Sequence, residues 1–120
     1  MKLNHLDLQV PDVQHTTLFF ERHFGFRLTT SRTSPAIAIL DGPGEFTLVL
    51  QRKKDPAESY PTDFHIGFIV DDEVAVERAH AELSAAGEEV SPVTRNGRGT
   101  MIYCRRDGFL VEVSRRARHG

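Results

Sequence analysis

The chain has 120 residues, of which 39% are hydrophobic and 27% are charged, and its formal net charge is -2. This size predicts one domain with a single core, and interspersed charges of both signs exclude a general attraction to nucleic acid or to anionic membranes. No apolar run approaches the roughly 18 residues of a membrane span. A single cysteine, Cys104, cannot form an internal disulfide. We therefore expect a cytoplasmic protein that binds neither nucleic acid nor a membrane.

The sequence contains two copies of one unit. The segment LNHLDLQVPDV, which begins at Leu3, matches DFHIGFIVDDEV, which begins at Asp63. The segment IAILDGPGEFTLVLQ in the first half likewise matches TMIYCRRDGFLVEVS in the second. A repeat of this length is typical of paired structural modules. We expect one domain over residues 1–120, divided into module one (1–52), a linker (53–62), module two (63–115) and a polar tail (116–120).

Each copy predicts the same order of elements. In the first, a strand at 3–10 is followed by a helix that begins after Asp12 and ends at Gly25, and then by strands at 26–32, 36–40 and 46–51. In the second, a strand at 64–70 precedes a helix that begins after Asp71 or Asp72 and ends at Gly87, with strands at 89–93, 100–104 and 109–114. The fold class is therefore α+β, with two βαβββ modules that pair into a curved mixed sheet. The side chains described next predict that this sheet surrounds a metal-binding cavity.

Strand alternation brings three metal-binding side chains to the faces away from the helices. Side chains on a strand point alternately to its two faces. The apolar residues of each first strand face the helix, so His5 and His65 lie on the opposite face. In FLVEV, Glu112 interrupts an apolar strand, where a charge without a partner is costly. Two histidines and one carboxylate form a common site for a divalent metal with open positions for substrate.

The same alternation predicts the rest of the cavity. Asp7 points to the face of His5 and is a candidate base or partner of a metal ligand. The residues expected to line the substrate pocket are mostly apolar, which favours a largely hydrophobic small molecule. They are Gln9, Ile39, Thr47, Val49, Ile69, Ile102 and Leu110.

Two polar segments near the second copy have no role in this scheme. The segment NGRGT, residues 96–100, is a candidate mobile loop over the pocket. It is not a phosphate-binding loop, because it lacks the preceding strand and following helix that such a loop needs. The segment RRAR, residues 115–118, is expected to be a solvated terminus rather than an anion site.

The chain resembles the vicinal oxygen chelate superfamily, which groups glyoxalase I, extradiol dioxygenases, fosfomycin-resistance thiol transferases and bleomycin-resistance proteins. The resemblance rests on LNHLDLQVPDV, FFERHFGFRL, HIGFIVDD and RRDGFLVEV, in this order over nearly the whole chain. It implies paired βαβββ modules, a small-molecule substrate and a homodimer. The family's metal ligands correspond to His5, His65 and Glu112, which meet within one chain or across the dimer.

Departures from the family's patterns narrow the implied activity. Glyoxalase I usually has a fourth ligand, a Glu, where this chain has Val49. Fosfomycin transferases have a Lys, a Ser and a Tyr where this chain has Pro92, Asn96 and Ile102. Bleomycin-binding proteins generally lack the metal triad. What remains is an extradiol-type site, so we predict an Fe(II) dioxygenase or oxygenase that acts on a small aromatic or hydrophobic metabolite.

Other readings of the same triad stay open. Mn(II), Ni(II) or Zn(II) suit these ligands as well as Fe(II). The cavity of an antibiotic- or metabolite-binding resistance protein would bind its ligand without catalysis. A glyoxalase-like lyase or a thiol transferase would use the triad for chemistry that consumes no dioxygen.

Overall fold

The structure is a computed structural model that describes residues 1–117, and these residues form two compact units. The first unit runs over Met1–Ser59, and the second begins at Tyr60. The last strand of the second unit extends through Arg116, so the polar tail predicted at 116–120 begins inside a strand. The rest of that predicted tail, residues 118–120, lies outside the described residues.

The first unit is a four-stranded mixed sheet with one helix. Its elements are β1 (His5–Val10), α1 (Val13–Phe24), β2 (Arg27–Leu28), β3 (Ile37–Gly42) and β4 (Phe46–Arg52). The strand order is β1-β4-β3-β2, and β1 runs parallel to β4 while the other neighbours are antiparallel.

The second unit repeats this arrangement with one additional short strand. Its elements are β5 (His65–Ile69), α2 (Glu73–Ala85), β6 (Glu89–Val90), β7 (Thr94–Asn96), β8 (Gly99–Arg106) and β9 (Phe109–Arg116). The strand order is β5-β9-β8-β6, with β7 paired to β8. As in the first unit, the strand before the helix lies parallel to the last strand of the unit.

The predicted α+β class and the two βαβββ modules are confirmed, and each unit has its own mixed sheet. The strand predicted at 26–32 is shorter and forms only β2 (Arg27–Leu28). The strand predicted at 89–93 forms only β6 (Glu89–Val90), and a separate short strand, β7 (Thr94–Asn96), follows it. Pro92 lies between these two strands, and proline has no backbone N–H to donate to a sheet. Neither α1 nor α2, the two helices of the described chain, has the length and apolar character needed to span a membrane.

Aspartates begin both helices, as the sequence predicts. The Asp12 side chain accepts a hydrogen bond of 3.1 Å from the backbone N–H of His15, and the Asp72 side chain accepts one of 2.9 Å from Ala75. These bonds satisfy N–H groups that have no partner within the helix. Gly25 ends α1 in the left-handed conformation at φ 72°, which glycine adopts without steric cost.

Each helix buries an apolar stripe on one face of its sheet. In the first unit the fully buried side chains come from α1 and from alternate positions of the strands; they include Leu8, Val10, Phe20, Leu40, Leu48 and Leu50. In the second unit they include Val76, Leu83, Ile102, Phe109 and Val111. The sheet faces that carry the candidate site residues are therefore the faces away from the helices.

The substitution Val76→Ala tests the packing of α2, with Val74→Ala as its matched control. Val76 is 0% exposed and Val74, on the same helix, is 57% exposed. We expect Val76→Ala to lower the free energy of unfolding by about 2 kcal/mol, because it removes two buried methyl groups and leaves a cavity. We expect Val74→Ala to change it by less than about 0.5 kcal/mol. Chemical denaturation measures both, and equal losses would contradict the burial of this face.

Candidate metal centre

The second unit brings His65 and Glu112 to one face of its sheet. The central strand β9 lies between β5 and β8, with Glu112 opposite Gly67 on β5 and opposite Tyr103 on β8. His65 is one step along the same face of β5, two residues before Gly67. The Nε2 atom of His65 lies 3.9 Å from Oε2 of Glu112.

The backbone selects the tautomer of His65. Its Nδ1 lies 3.0 Å from the carbonyl oxygen of Asp63, and a carbonyl can only accept a hydrogen bond. The proton of the neutral imidazole is therefore on Nδ1, and Nε2 carries the free lone pair that a metal requires. This lone pair is the one on the Glu112 side, and the His65 side chain is 48% exposed.

Tyr103 orients the carboxylate of Glu112. The Tyr103 hydroxyl donates a hydrogen bond of 2.9 Å to Oε1 of Glu112, and Oε2 is the oxygen nearer to His65. Burial is the main cause that raises the pKa of Tyr103, and the hydrogen bond and charge of Glu112 add to it, whereas the charge of Arg98 lowers it. The phenol therefore keeps its proton at neutral pH and remains a donor to the carboxylate.

Gly67 leaves space beside the carboxylate. A Cβ atom at this position would lie 3.4 Å from Oε2 of Glu112 and 3.3 Å from the Glu112 carbonyl oxygen. Any side chain here would occupy the volume next to the oxygen that faces His65. The absence of a side chain at Gly67 thus keeps one side of Oε2 open for a ligand.

A cleft of about 320 Å³ opens on this face. It contains both candidate ligands, the Tyr103 phenol and two arginines; the full lining is His65, Gly97, Arg98, Met101, Tyr103, Glu112, Ser114, Arg116 and Ala117. The sequence predicts a mostly apolar pocket, whereas this lining is largely polar and basic. The difference arises because strand alternation does not place Arg98, which lies in a turn, and because Arg116 lies beyond the strand predicted at 109–114.

The structure places Ile102 on the opposite face of β8 from Tyr103. Ile102 pairs with Val113 and is 0% exposed, so it belongs to the core beneath α2 rather than to the cleft. The sequence does not predict Tyr103 here, because matching the two repeats without a gap places Ile102 at the position equivalent to Ile39. The position of the Asp107-Gly108 turn, with φ values of 51° and 87°, gives the correct pairing of residues on β8 and β9. A two-residue hairpin turn of this type fixes the register outward from the turn and places Tyr103 opposite Glu112.

The other second-unit residues predicted to line the pocket lie on the face of Glu112. Leu110 pairs with His65 and Ile69 pairs with Ser114. Ile69 is 61% exposed, which is unusual for an apolar side chain in a strand. Neither residue lines the cleft described above.

The predicted site residues of the first unit share one face of its sheet. His5, Asp7 and Gln9 pair in parallel register with Thr47, Val49 and Gln51, and Ile39 pairs with Val49. Asp7 accepts a hydrogen bond from the side-chain amide of Gln51. His5 is exposed, whereas Val49 is only 8% exposed.

Two of the three predicted metal ligands are therefore neighbours, and the third belongs to the first unit. Within residues 1–117 of a single chain, no group of three or more His, Cys, Asp or Glu side chains is arranged to hold a metal ion. The place of His5 in the triad stays a prediction.

The chain is similar in fold to several solved proteins over nearly its whole length. A possible glyoxalase from Bacillus cereus is 30% identical, with a TM-score of 0.80 and coverage of 95% of this chain and 98% of that one. The fosfomycin resistance protein FosX from Listeria monocytogenes, complexed with Mn(II) and a sulfate ion, is 24% identical, with a TM-score of 0.77 and coverage of 97% and 90%. Lactoylglutathione lyase from Agrobacterium tumefaciens is 18% identical, with a TM-score of 0.76 and coverage of 95% and 92%.

The last two similarities are below 25% identity and concern the fold alone. No curated protein sequence matches the chain. The model of the glyoxalase/bleomycin resistance protein/dioxygenase superfamily matches residues 2–113, which include both repeats and all three predicted metal ligands. The chain therefore belongs to the glyoxalase/bleomycin resistance protein/dioxygenase superfamily.

Proposed function

We propose that the protein is a small metal-dependent enzyme whose metal is held by His5, His65 and Glu112. The observation that supports this best is the arrangement of the second-unit pair: Nε2 of His65 lies 3.9 Å from Oε2 of Glu112, while Nδ1 is bonded to the Asp63 carbonyl. This separation suits a shared ion, which would lie about 2.0–2.2 Å from each donor atom. His5 completes the set from the first unit of the same chain or of a partner in a homodimer.

The proposed donor set suits several divalent metals. Two imidazoles and one carboxylate with open positions are typical of non-haem Fe(II) oxygenases, and Mn(II), Ni(II) and Zn(II) also bind such donors. Fe(II) is favoured because Val49, apolar and buried, offers no fourth protein ligand of the kind that glyoxalase I uses. When bound, the metal would supply Lewis-acid stabilisation of an anionic substrate oxygen and a site for dioxygen.

The residues around the donors have separable tasks in this proposal. The Asp63 carbonyl holds the His65 ring in its metal-binding tautomer, and the Tyr103 phenol holds Glu112 by a 2.9 Å hydrogen bond. Such partners of metal ligands typically contribute 10- to 100-fold in metal affinity or activity. Asp7 is the proposed base, and the amide of Gln51 fixes the orientation of its carboxylate.

We propose an oxygenase reaction on a small organic metabolite. A lyase or thiol transferase that uses the same triad is the second candidate, and the Tyr103 phenol favours it. The fosfomycin transferases have a tyrosine in their substrate site, and Tyr103, next to Ile102 in the sequence, supplies a phenol in this cleft. Sequestration of a metabolite without catalysis would use the same cleft but would not need the oriented donor pair.

Metal binding by the purified protein tests the donor set. We expect the wild type to bind one divalent metal ion per chain. The variants His5→Ala, His65→Ala and Glu112→Gln should each bind the metal more than about a hundredfold more weakly, because losing a ligand costs more affinity than losing a hydrogen-bond partner of a ligand. His80→Ala, on α2 in the same unit, is the control and should bind as the wild type does. Elemental analysis and calorimetric titration with Fe(II), Mn(II), Ni(II) and Zn(II) measure this. Failure of the wild type to bind any of them would favour sequestration.

Mixing two inactive variants locates the third ligand. If His5 acts across a dimer, a mixture of His5→Ala and His65→Ala chains contains heterodimers with one intact site, and metal binding partly returns. If His5 acts within its own chain, neither chain has a complete triad and the mixture stays unable to bind.

The variant Gly67→Ala tests the open space beside Glu112, with Gly97→Ala as the matched control in the same cleft. A Cβ at Gly67 lies 3.4 Å from Oε2 of Glu112, whereas a Cβ at Gly97 has no atom within 4 Å. We expect Gly67→Ala to lower metal affinity about tenfold by crowding the carboxylate, with little loss in Gly97→Ala. Calorimetric metal titration measures both, and thermal unfolding checks that both remain folded. Unchanged affinity in Gly67→Ala would place the metal away from Oε2.

Oxygen consumption distinguishes the two catalytic candidates. The Fe(II)-loaded protein should consume dioxygen with catechol-like substrates, and His65→Ala loaded in the same way should not. An oxygen electrode measures the rate. Metal binding without any dioxygen consumption would reject the oxygenase and leave the lyase or transferase reaction, which consumes none.

A further inference from the structure

The turn that joins β7 to β8 holds Arg98 in a fixed position at the cleft. The backbone N–H of Arg98 donates a 2.8 Å hydrogen bond to Oδ1 of Asn96, and the Arg98 carbonyl accepts one of 2.9 Å from Ala117. Gly99 follows at φ 133°, and a Cβ there would lie 2.0 Å from the Arg115 carbonyl. The segment expected to be a mobile loop is therefore tied closely to the end of β9.

Arg116 lies on the same face as the candidate metal ligand. It pairs with Gly99 and follows Glu112 and Ser114 at alternate positions of β9. Four residues of strand correspond to about 13 Å between Cα atoms. Because Arg116, His65 and Glu112 line the same cleft, one small molecule of that length can contact both the donors and the guanidinium group. The expectation that residues 115–118 are only a solvated terminus is thus too simple for Arg116, while Arg118 lies outside the described residues.

The two cleft arginines, Arg98 and Arg116, differ from the arginines that form ion pairs elsewhere in the chain. Five arginines form ion pairs with carboxylates: Arg27, Arg32, Arg95, Arg105 and Arg106. Within residues 1–117, neither Arg98 nor Arg116 forms such a pair, and Glu112 is the sole carboxylate among the residues that line the cleft. Even without a metal, the cleft thus carries more positive than negative charge, and a divalent ion would increase the excess.

We propose that this cleft binds a substrate with an anionic group, and that Arg98 and Arg116 hold that group while the substrate's other end reaches His65 and Glu112. The guanidinium fork pairs with planar or tetrahedral oxyanions through two parallel hydrogen bonds, so carboxylate, sulfonate and phosphonate are the matching groups. The substrate class is therefore a small organic acid rather than a neutral hydrophobic metabolite. The contact of the substrate's other end with His65 and Glu112 rests on the proposed metal function, whereas binding of the anionic group by Arg98 and Arg116 does not.

Binding of benzoate and of its neutral analogue benzamide to the chelator-treated full chain tests this proposal. Without metal, a carboxylate has no metal ion to bind, so a preference for benzoate reports on the arginines. We expect calorimetry to show that the wild type binds benzoate at least about tenfold more tightly than benzamide. Arg98→Gln with Arg116→Gln should remove this preference and leave benzamide binding unchanged, because glutamine keeps polarity without charge.

Arg95→Gln is the matched control. Arg95 lies on the same hairpin, but it pairs with Glu73 and Glu77 and is not among the cleft residues. It should retain the preference for benzoate, and thermal unfolding checks that all variants are folded. Equal binding of benzoate and benzamide by the wild type, no saturable benzoate binding, or an equal loss in Arg95→Gln would overturn the proposal.

Metal content separates this proposal from the proposed function. The arginine variants should bind divalent metal as the wild type does, because neither arginine is a proposed ligand. A preference for benzoate in a wild type that binds no metal would support the anion site and reject the metal enzyme. Metal binding without that preference would reject the anion site alone.

Discussion

The site depends on the register of β9 between its two neighbours. The two-residue Asp107-Gly108 turn sets the pairing of β8 with β9, and the parallel pairing with β5 then places Glu112 between Tyr103 and Gly67. One neighbour gives the carboxylate a hydrogen-bond donor, and the other gives it open space. A shift of one residue in either pairing would turn Glu112 toward the core beneath α2, where its charge would be costly. Main-chain hydrogen bonds thus fix the carboxylate before any ligand binds.

The two units use the same architecture for different purposes. In the second unit a carboxylate stands opposite a glycine; at the matching positions of the first unit, Val49 stands opposite Asp7. The acidic residue is thus on the first strand in one unit and on the last strand in the other, and this difference changes what the sheet face can bind. The second unit keeps an oriented histidine and glutamate pair, while the first keeps a histidine and a carboxylate that is already bonded to Gln51. Under the proposed donor set, the first unit would supply His5 and the second unit His65 and Glu112.

The elements and their faces could be predicted because they depend on local rules. Period-two alternation, the Asp12 N-cap and the Gly25 C-cap are short-range signals, and each matches the structure. The residues that escaped prediction depend on loop length. A constant offset between the repeats aligned Ile102 with the face of Glu112, although the tight hairpin turn places Tyr103 there. Counting from a recognised turn is more reliable than counting from a repeat, since insertions accumulate between repeats but not within a two-residue hairpin.

The polarity of the cleft limits what the protein can bind more than the donor set does. Two imidazoles and one carboxylate support oxygenase, lyase and transferase chemistry alike, so this donor set is compatible with a metal ion but does not determine the reaction. The charge of the surrounding wall is more discriminating, because a neutral substrate cannot compensate the guanidinium groups of Arg98 and Arg116 when it displaces their water. Arg98 lies in the tight turn between β7 and β8, whereas Arg116 pairs with Gly99 at the end of the same β8–β9 ladder that fixes Glu112. Substitution of Arg98 in the turn can therefore change the charge of the cleft while the arrangement of His65 and Glu112 is preserved.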